Sequence, residues 1–245
     1  MPIVRISVGR RVFAPSWWLT ALTIALCVLF VGLGRWQWQR GVHRQAQWDA
    51  FASGSDRALP LGAQGLAQLP RYQRMEVRGE LDGSRQFLLD NRTHLGRGGF
   101  EVLTPLYLSD GRALLVDRGW VPLLGFRDRL PDVSLSSASP VTLTGRVDEL
   151  PSPGLAFGRM PPPAQGAWPR VTSYPDMSQL AHALGRALEP RMLLLDPQAP
   201  LGYSRDWQPP GLPPARHWSY AIQWWGFAAT LIVIWALLSA PRAHA

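Results

Sequence analysis

The chain has 245 residues and a formal net charge of +8, with 47% apolar and only 17% charged residues. All 25 basic residues are arginine and none forms a dense run, so the charge does not make the phosphate-tracking stripe of a nucleic-acid binder. The single cysteine, Cys27, excludes a disulfide framework and any cysteine-based zinc cluster.

Residues 1–16 read as a basic tail. From Trp17 to Gly34 no residue is charged. Eighteen residues of helix span about 27 Å, close to the roughly 30 Å of a bilayer core. A signal peptide would have a shorter apolar core and a small-x-small cleavage site. This run instead leaves through Arg35-Trp36-Gln37-Trp38-Gln39-Arg40, so an uncleaved membrane anchor is expected. Residues 35–70 read as a polar extension and a linker rich in Gly, Ala, Gln and Pro. Strands are then expected at Arg71–Leu81 and Gln86–Asp90, with Asp82-Gly83-Ser84 as turn chemistry between them. Phe100–Leu108 and Ala113–Val121 follow, joined by a hairpin signal at Ser109-Asp110-Gly111. Val141–Val147 alternates as a half-buried strand does.

After a proline-rich stretch from Pro151 to Pro169, Asp176–Leu188 carries an apolar helical face of Met177, Leu180, Ala181, Leu184 and Leu188. Met192–Leu195 is a last strand, and Gln208–Pro214 returns the chain toward a second uncharged run, Trp218–Ser239. Its 22 residues span about 33 Å. Residues 240–245 form a tail. The fold class expected is a membrane protein: two antiparallel transmembrane helices (17–34 and 218–239) flank a mainly antiparallel, barrel-like α+β domain over residues 71–217.

Tryptophan and tyrosine gather at the span ends, as interfacial belts do: Trp17, Trp18, Trp36 and Trp38 on one helix, Trp218, Tyr220, Trp224 and Trp225 on the other. The short flanks carry Arg5, Arg10, Arg11 and Arg242 without any acid, which places both termini in the cytoplasm and the central domain outside. Arg35, Arg40 and Arg44 just past the first span pull the other way.

No nucleophile elbow, metalloprotease motif or phosphate-binding loop occurs. Gly96-Arg97-Gly98-Gly99 lies between strands and reads as a loop needing positive φ. Among the five histidines, His43, His182 and His244 read as solvated. His94 falls in an expected loop, Asn91–Leu95, where a binding role stays open. His217 differs in depth, because it directly precedes the second span. It shares a helical face with Tyr220, Ala221, Trp224 and Ala228, opposite a face of Gly34, Gln37, Trp38 and Gly41 whose glycines permit close approach. Such a histidine suits either an axial haem ligand or a helix cap bonded to lipid headgroups.

Five stretches, in order along the chain, together resemble the surfeit locus protein 1 family, assembly factors for cytochrome c oxidase. They are Gly34–Arg40 (G-x-W-Q-x-x-R), Arg78-Gly79 within the first strand (V-x-G), Gly99–Leu106 (G-x-x-V-x-T-P), Leu115–Pro122 (L-V-N-R-G-W-V-P, with Asp117 for Asn) and His217–Trp225 (H-L-x-Y-A-x-x-W-F). Two departures stand out. Ala215-Arg216 replaces an asparagine before the histidine, and a proline-rich run with Trp168 replaces an asparagine-rich stretch before the central helix.

The resemblance implies a non-enzymatic assembly factor for an aa3-type haem–copper oxidase, in the bacterial inner membrane, with its central domain in the periplasm. It further implies transient binding of haem a and delivery to subunit I, with other assembly factors and membrane lipid as partners. His217 becomes the expected ligand to the haem iron, with Trp36, Gln37, Arg40, Tyr220 and Trp224 around it. Arg40 or Arg118 is the expected propionate partner; for Arg118 an internal structural ion pair is the alternative. A scaffold that holds an oxidase intermediate without binding haem is the alternative role, and an enzyme housed in the β domain a third.

Overall fold

The computed structural model describes residues 6–8, 11–53, 57–62, 65–125, 129–135, 140–151, 160–163 and 165–240. Its elements in chain order are β1 (Ile6–Val8), β2 (Arg11–Phe13), α1 (Trp17–Ser53), β3 (Leu59–Pro60), β4 (Arg74–Leu81), β5 (Phe87–His94), β6 (Arg97–Leu108), β7 (Ala113–Pro122), β8 (Val141–Asp148), β9 (Arg170–Thr172), α2 (Met177–Leu184), β10 (Met192–Leu195) and α3 (Pro214–Ser239). The chain divides into two compact units, residues 1–50 with 209–245, and residues 51–208.

In the first unit α1 and α3 are both long and apolar enough to cross a membrane. Their large apolar side chains, such as Ile24, Val28, Ile222, Phe227 and Leu237, stand exposed, as lipid-facing residues must. Helix α1 does not stop at Gly34. It runs 37 residues, about 55 Å, to Ser53. Nothing in Arg35–Ser53 breaks a helix except Gly41, and long polar residues such as Gln and Arg favour one. The expected N-terminal tail contains an antiparallel pair, β1–β2, after which the Ala14 amide donates to the Ser239 carbonyl at 2.7 Å. Arg5, Arg10, Arg242 and His244 lie outside the described residues.

The second unit is built on one sheet ordered β3-β4-β8-β10-β7-β6-β5-β9, with a further pairing of β4 to β6. That pairing closes β4, β8, β10, β7 and β6 into a five-stranded barrel. Strand β4 serves both neighbours: Arg74–Gly79 pairs with β8, and Gly79–Leu81 with β6. The switch falls on Gly79, where a Cβ would lie 2.3 Å from the Tyr107 carbonyl oxygen, so only glycine lets the strands approach. The expected sheet was mainly antiparallel, and it is, apart from the parallel pairs β7–β10, β3–β4 and β5–β9.

Asp82-Gly83-Ser84 does turn the chain, with Asp82 Oδ1 accepting from the Ser84 amide. It does not close a hairpin, because β4 spends its edges on β6 and β8 rather than on β5. The true hairpin joins β5 to β6 through Leu95-Gly96, with His94 opposite Arg97. Residues 91–94, expected in a loop, are therefore strand, reached through an irregularity between Leu89 and Arg92.

Met75, Val77, Leu106, Leu114, Val116, Leu143, Val147, Leu193 and Leu195 pack together in one core. On the opposite strand faces Phe87, Leu89, Leu103, Leu115, Met192 and Leu194 pack against Leu180 and Leu184 of α2. Strand β10 is buried on both sides, which is why Met-Leu-Leu-Leu shows no alternation. Helix α2 is capped by Asp176, whose carboxylate accepts from the Gln179 amide, and it ends at Leu184 rather than Leu188. Gly185 adopts φ 70° and returns its N–H to the last carbonyls, stopping the helix a turn before the apolar pattern ends. Trp168 packs edge-on to Phe87 at 5.2 Å, so the tryptophan of this departure from the family pattern joins the core, while residues 152–159 and 164 of the run lie outside the described residues.

Candidate functional site

The residues singled out on the helices meet along the α1–α3 seam. The seam is made by two glycine–tryptophan contacts seven residues apart on each helix. A Cβ on Gly34 would lie 2.3 Å from Trp225 Nε1, and one on Gly41 the same distance from Trp218 Nε1. Trp38 fills the space between them, with ring centroids 6.0 Å from Trp218 and 5.9 Å from Trp225. Further along, Cys27 Sγ lies 3.9 Å from the Ala228 carbonyl, and Trp235 Nε1 donates to Thr20 Oγ1 at 3.1 Å. Polar groups at such depth need partners, and these find them across the seam.

His217 lies on the buried side of α3 with Ala221 and Ala228 and is only 8% exposed. Its Nδ1 is 2.9 Å from Gln37 Oε1. An amide oxygen can only accept, so Nδ1 carries the proton and the lone pair of the neutral ring sits on Nε2. The helix begins one turn earlier with Pro213 at the N-cap and Pro214 at its first position, so His217 is not a cap. Arg44 of α1 holds the entry to α3 by donating from Nη1 to the Pro210 carbonyl at 2.9 Å.

The other helical candidates divide. Trp224 is half-buried and stacked on Phe30 at 5.7 Å. Trp36 and Arg40 form an i, i+4 pair on an exposed face, with the guanidinium 5.6 Å from the indole centroid. Tyr220 is also exposed. The structure thus joins His217 to Gln37 and leaves Trp36, Arg40 and Tyr220 outward. Trp218 and Trp225, which set the helix spacing, were singled out only as interfacial residues. Their seven-residue separation, matched by Gly34 and Gly41, was the available signal.

Arg118 belongs to the other unit. It sits on the same face of β7 as Leu114 and Val116, almost wholly buried. Its Nε donates to the Leu201 carbonyl at 2.6 Å and its Nη1 to Gln86 Oε1 at 2.9 Å, with Tyr203 stacked at 4.8 Å. Burial pulls its pKa down, and the Tyr203 hydroxyl opposes this. The expected alternative was an internal ion pair; among the described residues Arg118 is instead held by amide, hydroxyl and carbonyl oxygens, and none of its partners is a carboxylate.

Its neighbour Asp117 is the functional-looking residue that sequence reasoning passed over. It is 1% exposed, with Oδ1 accepting from the Gly119 amide and, among the described residues, no partner for Oδ2. Burial, then the nearby Glu101 charge, push its pKa well above the ordinary carboxylate range. These surroundings favour the neutral acid, and a neutral carboxyl resembles the asparagine that the family pattern has here. Because its folded pKa exceeds its unfolded pKa of about 4, its contribution is fully present below pH 4 and is lost as pH rises toward the folded pKa. Asp117→Asn is therefore expected to match the parent's melting temperature at pH 4 and exceed it at pH 8. Equal melting temperatures at both would refute the assignment.

Residues 24–229 match the family model of the SURF1 family. The chain belongs to the SURF1 family. No curated protein matches it. The SURF1 family comprises cytochrome oxidase assembly factors and is not a family of enzymes. This SURF1-family chain is a membrane protein with two spanning helices and an α+β extramembrane domain. Among the described residues no cluster of three His, Cys, Asp or Glu side chains could hold a bare metal ion.

Proposed function

We propose that the chain assists assembly of an aa3-type cytochrome c oxidase by binding haem a transiently and helping its insertion into subunit I. Its place is the bacterial inner membrane, with both termini cytoplasmic and the barrel periplasmic. The acid-free arginine flanks and the interfacial tryptophans support that placement. The observation that carries the haem reading is the His217–Gln37 pair. A metal-binding histidine needs one ring nitrogen anchored and the other left with its lone pair, and an amide oxygen on Nδ1 meets both conditions. The donor set fits a haem better than a bare ion, since it offers one imidazole among tryptophans and no carboxylate. Bound haem a would supply a Lewis-acidic iron and two anionic propionates. His217 would hold the iron and Gln37 would fix the ring's tautomer and tilt. The exposed Arg40 is the seam's candidate for a propionate. A single neutral ligand suits a carrier that must release its cargo.

Purification of the full chain co-expressed with haem a synthesis tests this. The parent protein is expected to carry a Soret band, His217→Ala to lose it, and Gln37→Ala to bind about tenfold more weakly through loss of the anchoring bond. A parent protein free of haem a would sink the reading.

A second reading, a scaffold that holds an oxidase intermediate without haem, draws on the same pair. A 2.9 Å bond that satisfies a nearly buried imidazole is also a clasp between two helices. It predicts co-purification of the intermediate from cells with no Soret band in any variant.

A further inference from the structure

The distal half of the β5–β6 hairpin does not serve the barrel core. Phe87–Leu89 of β5 are buried, but from Asp90 onward the side chains are at most half-buried. Strand β9 pairs with β5 only along Phe87–Leu89, and among the described residues no strand lies along the outer edge of Thr93 and His94. At the tip, Leu95 is 88% exposed, and it adopts φ 49° beside Gly96 at φ 76°. A two-residue turn with positive φ at both positions favours Asn-Gly or Asp-Gly, because a branched side chain strains there. Two costs therefore coincide in one leucine, backbone strain and an apolar side chain in water. Asn91 and Tyr174, beside the same hairpin, also hold positive φ. Such concentrations of strain occur where a surface is shaped for a partner.

The charge of the tip is defined as well. Arg92 is matched by Glu101 at 2.9 Å. Arg97 is exposed, and among the described residues no carboxylate pairs with it. His94 lies against Trp120 at 5.3 Å, giving the tip a firm aromatic base.

We propose that this tip, Arg92 to Arg97, is a docking surface for an extended acidic segment of a partner protein. The segment adds along the outer edge of Thr93 and His94, which no described strand covers, covers Leu95 with an apolar residue and pairs a carboxylate with Arg97. Strand addition supplies the hydrogen bonds that an open edge lacks. Acyl chains cannot supply them, so burial of the same edge in lipid would strand its N–H and C=O groups. For the identity of the partner, an oxidase subunit, the inference rests on the assembly reading above.

The test uses the full chain in phosphatidylcholine nanodiscs, titrated with detergent-solubilised oxidase subunit I. The parent chain is expected to bind saturably. L95N and R97E are each expected to bind about tenfold more weakly, the loss expected from removing one buried leucine or one desolvated charge pair. L95N should melt no lower than the parent, since asparagine relieves the turn, and its haem a Soret band should be unchanged. Variants that bind as tightly as the parent overturn the proposal while leaving the assembly reading intact. A parent chain that does not bind subunit I overturns both. A bimane on L95C, in a C27S background, whose emission shifts blue on the nanodisc before subunit I is added would assign the tip to lipid and also overturn it.

Discussion

Gly41→Leu is expected to abolish haem a carriage and reduce oxidase haem a content to that of a strain lacking the protein. The argument is steric. Even a methyl group at Gly41 would lie 2.3 Å from Trp218 Nε1 and 2.5 Å from its Cδ1, well inside van der Waals contact. A leucine adds three more carbons to a seam already filled by Trp38 and Trp218. The cost of such overpacking is about 1–3 kcal/mol where neighbours can yield, and two indoles packed at a tilt on rigid helices yield little. The helices must part, and Gln37 lies one turn from Gly41 while His217 directly precedes Trp218. A separation of about 1 Å is enough to break the 2.9 Å bond that orients the imidazole. Gly34→Leu should act alike through Trp225. Gly32 provides the control, because a Cβ there meets nothing within 4 Å. Gly32→Leu should retain both haem carriage and oxidase. Parallel Soret spectra and membrane haem a assays separate the outcomes, and a normal Gly41→Leu would mean that the seam is not where the function resides.

Arg118→Ala is expected to lower the stability of the barrel by about 3–5 kcal/mol, the range for removing one member of a buried polar network together with its volume. The Leu201 carbonyl loses the short bond from Nε. Gln86 Oε1 and Thr104 Oγ1 keep only each other, at 2.7 Å. The aromatic face of Tyr203 loses its cation. For a domain of this size the loss corresponds to about 10 °C or more in melting temperature. Arg118→Lys should recover little of it, since one ammonium cannot reproduce the forked geometry. Thermal unfolding of the full chain, followed by near-ultraviolet circular dichroism, measures the effect. Arg118→Ala with normal stability but diminished haem binding would restore Arg118 to a propionate role.

The two effects fall in different units, and they differ in how far the sequence alone makes them legible. Both spans announced themselves as uncharged runs, because a bilayer core excludes charge wherever it lies in the fold. The faces of His217 and Gly41 followed from helical spacing, which is a local property. The strands of the barrel were legible from alternation, except where both faces are covered, as in β10. The partner of each strand was not legible. Asp82-Gly83-Ser84 carries hairpin chemistry, yet β4 pairs elsewhere, because strand pairing is set by non-local burial rather than by the turn between neighbours. Likewise Asn91–His94 reads as loop for its polarity, and tertiary packing makes it an exposed strand.

The sequence by itself therefore determined two membrane spans, a β-rich domain between them and the family, since each rests on composition, local periodicity or an ordered set of motifs. Only the tertiary structure decided that Gln37 is the residue that turns to His217, that Trp36 and Arg40 face outward, and that Arg118 belongs to the barrel interior. It also decided that Asp117 is buried, with no partner for Oδ2 among the described residues, so that burial raises its pKa. Helical spacing limits which residues share a face, but the rotation of one helix against another is set by where glycine lets tryptophan approach. The protonation of a carboxyl is set by what surrounds it, and those surroundings come from strands distant in sequence.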